Sequence, residues 1–170
     1  MTYDFHPLVV HFPIALLFVY SLIQIFPMQK WIPSVSWKHV KNVLLIIGFI
    51  GAVVASSLGE IAADLNQPNH DVLELHETFA SLVEVFYGIL VGSTVVQWIC
   101  AKYTKVLEYR MVSIILMISN FIENRWISVI LSLLGLVALV LTGVFGGVMV
   151  YGTSADPLAA PLLQLFGVDL

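Results

Sequence analysis

Four stretches of this chain, at about 7–27, 40–60, 77–102 and 126–150, are apolar around their whole helical circumference. Each is long enough to cross a hydrocarbon core of about 30 Å, which takes roughly 20 helical residues at 1.5 Å apiece. Segments of this kind satisfy their backbone groups inside a bilayer only as helices, so the expected fold is an all-α integral membrane protein. The chain then forms one four-helix transmembrane bundle over 1–170. Composition agrees: 59 % of residues are apolar and 11 % charged, far from the balance of soluble domains. The first run opens at Pro7, where a missing N–H costs nothing, and carries Pro13, a point of bending. No Lys or Arg precedes it and no small-residue cleavage site follows, so it reads as a retained helix rather than a signal peptide.

Between the third and fourth runs, 106–122 is apolar but short and is bracketed by Arg110 and by Glu123, Asn124 and Arg125. We expect an amphipathic or re-entrant helix there rather than a fifth crossing. The tail, 151–170, contains Pro157 and Pro161 and reads as an ordered or partner-bound extension along the surface. Every Lys and Arg lies in one of two loops: Lys30, Lys38 and Lys41 between spans one and two, and Lys102, Lys105, Arg110 and Arg125 between spans three and four. The positive-inside rule makes both loops cytoplasmic and puts both termini outside, as in a multi-pass protein of a bacterial inner membrane. No basic cluster supplies the phosphate-neutralising patch that nucleic acid requires. Cys100 is the sole cysteine, which excludes an internal disulfide or a self-contained iron–sulfur cluster.

With this topology, His6, His11, His70 and His76 share the outer side with most of the carboxylates. Counting from the basic loops puts His11, Glu60, Glu84 and Gly146 at one level near the outer edge of the hydrocarbon. Ionisable groups at such depth are costly and point to a functional site. Glu77, Ser81, Glu84, Gly88 and Gly92 fall on one stripe of span three. Small residues line span two at Gly48, Ala52, Ser56 and Gly59, and span four at Gly143 and Gly147. They permit either close helix packing or a flat cofactor between helices. A haem b held by His11 and His76, with His6 an alternative ligand and Glu77 orienting an imidazole, would use both features. A divalent metal on the same His and carboxylate groups, or a chlorophyll-type pigment on one histidine, is the alternative, as is no cofactor at all.

The segment from His6 to Leu16 (HPLVVHFPIAL), the Gly59-Glu60 step, Leu75-His76-Glu77 and the closing Gly146 to Tyr151 (GGVMVY) together resemble a bacterial membrane domain of unknown function, over nearly the whole chain. The resemblance implies a small four-helix membrane domain, sometimes fused to or encoded beside Rieske-type redox modules. Its relatives carry a further histidine soon after the closing tyrosine; here Gly152 to Asp156 stands instead, so a ligand supplied there would be missing. The expected function is a cytochrome b-like electron-transfer subunit with redox-subunit and quinone partners. The alternative is a non-catalytic structural or assembly subunit of a larger membrane complex.

Overall fold

The computed structural model describes residues 6–103, 109–154 and 156–168, and the side chains of all of these but His6 and Pro7. The described chain is helical: α1 (His6–Ile25), α2 (Met28–Trp31), α3 (Trp37–Asn66), α4 (His70–Lys102), α5 (Arg110–Ile122), α6 (Arg125–Tyr151), a 3-10 turn (Gly152–Ser154) and α7 (Ala159–Leu165). Four of the helices, α1, α3, α4 and α6, are long and apolar enough to cross a membrane. The 13-residue α5 is shorter, as its bracketing charges predict; the first residues of the 106–122 stretch lie outside the described set.

Local chemistry sets the breaks. α3 ends where Gln67 adopts a left-handed φ of 45° and its N–H closes on Ala63 O, and Pro68 then cannot continue the helix. Asn69 starts α4 by accepting from the backbone N–H groups of Asp71 and Val72. Asn124 does the same for α6 through Trp126 N. The turns at 67–69 and 123–124 therefore need few residues.

The long helices form a ring in which α1 packs on α3, α3 on α4, α4 on α6 and α6 on α1, with α5 laid against α4. Chain neighbours run antiparallel, leaving α1 and α4 facing across the diagonal. Tyr87 of α4, fully buried, bridges that diagonal: its hydroxyl and Ser21 Oγ share a 2.7 Å hydrogen bond, and its ring meets Tyr20 edge-on at 6.1 Å. Small residues of the ring helices admit side chains from their neighbours. Tyr87 seats over Gly135, Leu17 over Gly48 and Phe49 over Gly88. The small-residue stripes thus include packing positions, the use that close helix approach calls for.

A second core lies at the histidine end, where Phe79 and Phe145 stack at 5.7 Å and Phe166 of the tail meets both edge-on. Ala159, Leu163 and Val168 of the tail are buried in the same cluster with Val72 and Val148. The tail is thus ordered against its own chain.

Candidate functional site

The hydrogen bond between Ser21 and Tyr87 registers α1 against α4, and His11 and Glu77 each lie ten residues before it. Phe49 against Gly88 registers α3 against α4, and Glu60 and Glu77 each lie eleven residues from that contact on the same side. Residue counting puts His11 and Glu60 at one level but holds His76 nearer the headgroups; by these contacts His11, Glu60 and the His76-Glu77 pair all share it. Glu84 does not: it is seven residues deeper than Glu77, about 10 Å along the helix.

Sharing a level is not convergence. His76 is partly buried and its Nδ1 lies 2.9 Å from the backbone oxygen of Thr142 on α6. A carbonyl oxygen only accepts, so Nδ1 carries a proton and is the donor. Gly146 makes the approach possible, since a Cβ there would stand 3.2 Å from His76 Cε1. His11, Glu60 and Glu77 are exposed, and His70 is exposed beside Asp71 at 4.0 Å. His6 begins α1, but its side chain lies outside the described set. Glu84 is half-buried, with Oε1 shielded and without a hydrogen-bond partner.

Among the described residues no three His, Cys, Asp or Glu side chains are grouped as a metal site. A flat macrocycle between the helices would need a slot, yet Tyr87 and Phe145 fill the two cores and the His76 ring itself occupies the notch at Gly146. The donors and packing of the described interior do not fit a haem within the ring of four helices. A cleft of about 350 Å³ opens at the histidine end between the α3–α4 turn and the end of α6, lined by Asn69, Val72, Val148, Met149, Gly152 and Thr153. None of the residues expected from the sequence lines it.

A polar group that sequence reasoning passed over sits at the other end. Lys41 Nζ donates to Gln24 Oε1 at 2.6 Å, and Gln24 Nε2 donates to Ser128 Oγ at 2.6 Å, joining α3, α1 and α6. Glu123 Oε1 accepts from Ser93 at 3.2 Å and Thr94 at 3.0 Å, and Ser119 Oγ donates to Ser93 O at 2.8 Å. These bonds tie α5 and the α5–α6 turn to α4. The sequence treats Lys41 only as a loop charge, although it stands one helical turn inside α3; the lone Gln24 in an apolar run was the available signal.

Fold and sites together define a four-span helical membrane protein with a polar cluster near each end of its bundle. The chain belongs to the family described as "Predicted membrane protein (DUF2231)", whose pattern matches residues 3–156, from before α1 to just past the 3-10 turn. No curated protein and no solved structure matches it.

Proposed function

We propose that this protein is a non-catalytic subunit that associates with a partner inside the bilayer of a bacterial inner membrane, its histidine end outward. One observation carries the reading. Gly92 of α4 and Gly143 of α6 are exposed, and nothing comes within 4 Å of a Cβ built on either. A glycine inside a helix costs roughly 1 kcal/mol relative to alanine. Gly135 and Gly146 offset that cost by admitting Tyr87 and His76. At 92 and 143 the offsetting neighbour is a helix of another protein, which small residues allow to approach closely.

Leucine at both positions tests this. The purified Gly92→Leu/Gly143→Leu protein should keep its helical content and thermal midpoint but lose a partner that crosslinks and co-purifies stoichiometrically with the unaltered chain. Retention of the partner by the variant, or no partner after in-membrane crosslinking of the unaltered protein, would overturn it.

The orientation of His76 favours a second reading. Ligand histidines typically donate one ring N–H to a carbonyl or carboxylate, as His76 Nδ1 does to Thr142 O. A haem b, a chlorophyll-type pigment or a divalent metal would then be held on the outer surface at His76, or at His11 across the bundle, between this chain and a redox partner that exchanges electrons with quinone. A haem would supply one-electron chemistry when bound. A Soret band that shifts on reduction and disappears in His11→Ala or His76→Ala protein supports the cytochrome form; a colourless, metal-free preparation from haem-replete cells rejects the whole reading.

A further inference from the structure

The polar cluster at the lysine end lies where α1 ends and where α3 and α6 begin. Trp31, Trp98 and Tyr103 are exposed there, and Lys102 Nζ lies 5.2 Å from the Trp98 ring centroid and 5.5 Å from that of Tyr103. Trp and Tyr beside lysine mark a membrane–water interface. Thr94 stands eight residues, about 12 Å, before Lys102 on α4, while Gln24 is the penultimate residue of α1 and Glu123, itself exposed, lies just before α6. There the backbone breaks at Glu123-Asn124 between α5 and α6. A helix break at membrane depth is tolerated where it is buried in protein or lines a wet cavity.

Such a cavity is present. It measures about 20 Å³ and is lined by Tyr20, Gln24, Lys41, Thr94, Glu123 and Ser128, among others. A water molecule needs roughly 10–15 Å³ of such space and two to four polar partners. The wall supplies an ammonium donor and a carboxylate acceptor on opposite elements, the start of α3 and the α5–α6 turn. One turn deeper, Ser132 is fully buried and its Oγ has no hydrogen-bond partner.

We propose that this cavity is a water site: one water bridges Lys41 and Glu123, with Tyr20 at its inner edge, and holds the helix break to α1 and α3. The bridge joins groups on different elements that already have fixed amide and hydroxyl partners, Lys41 at Gln24 and Glu123 at Ser93 and Thr94. It also explains why Lys41 turns inward at Gln24 instead of reaching for the interface.

Radiolytic hydroxyl labelling of the intact protein in lipid nanodiscs tests the proposal, because radicals generated on a bound water oxidise the side chains around it. Rates are normalised to those of the unfolded chain. Tyr20, 4 % exposed, should be oxidised several-fold faster than Phe145, 0 % exposed and surrounded by apolar groups. In Lys41→Met/Glu123→Gln protein the Tyr20 rate should fall to that of Phe145. Equal rates in the unaltered protein would overturn the water site, whether or not the variant folds. Undiminished labelling in a folded variant would overturn the Lys41–Glu123 bridge.

Discussion

His76 on α4 donates to the backbone oxygen of Thr142 on α6 across 2.9 Å, through a notch that exists because residue 146 is glycine. The contact joins the two helices at the end where the aromatic core and the folded-back tail also meet. It spends one imidazole nitrogen on the link between α4 and α6.

Alanine at 146 would bring a Cβ to 3.2 Å from Cε1 and 3.4 Å from Nδ1 of that imidazole. The ring must withdraw, so Gly146→Ala should cost about 1 kcal/mol, the net worth of a hydrogen bond. His76→Ala should cost a similar amount, and the double variant little more than either single, since both remove one interaction. Thermal unfolding in detergent reads all three; additive losses would show that Gly146 and His76 act separately.

Tyr87→Phe keeps the ring over Gly135 but leaves the fully buried Ser21 hydroxyl without its partner. An orphaned buried hydroxyl costs about 1–3 kcal/mol. Adding Ser21→Ala removes the orphan and should recover part of the loss. Denaturant titration of the two singles and the double checks the sign of the coupling.

Glycines 135 and 143 lie on the same helix yet should respond oppositely to alanine. At 135 a Cβ would stand 2.9 Å from two atoms of the Tyr87 ring, which is fully buried and has nowhere to move, so the overpacking should cost about 1–3 kcal/mol. At 143 nothing is within 4 Å, and Gly143→Ala should stabilise the isolated chain by up to about 1 kcal/mol through helix propensity. Midpoints of the purified single variants decide both.

Phe166 fastens the tail to Phe79 and Phe145. Phe166→Ala should free α7 for proteolysis around 156–168 while the four spans stay protected, because Ala159, Leu163 and Val168 alone hold the remaining contact. Limited proteolysis followed by mass spectrometry gives the cleavage positions; unchanged protection would mean that the buried aliphatic residues suffice.

Four apolar spans, the shortness of α5 and the common height of His11 and Glu60 were legible in the residues. Hydropathy and helical periodicity are local properties, and a segment such as 126–150 is obliged to span whatever its neighbours do. Residue counting sets height along the helices only to within about two turns, because a span's edge cannot be located more finely, and Glu84 stands lower than the count puts it.

What the tertiary structure alone decided is which way each polar side chain turns. His76 turns to Thr142, Lys41 to Gln24 and Glu123 to Ser93 and Thr94. These choices depend on the rotation and register of one helix against another. Rotation and register are settled by packing summed over many residues, Leu17 into Gly48 and Tyr87 into Gly135 among them. The sequence by itself set His11 and Glu60 at one height; only helix packing brought His76 level with them and spent one of its ring nitrogens on the backbone of α6.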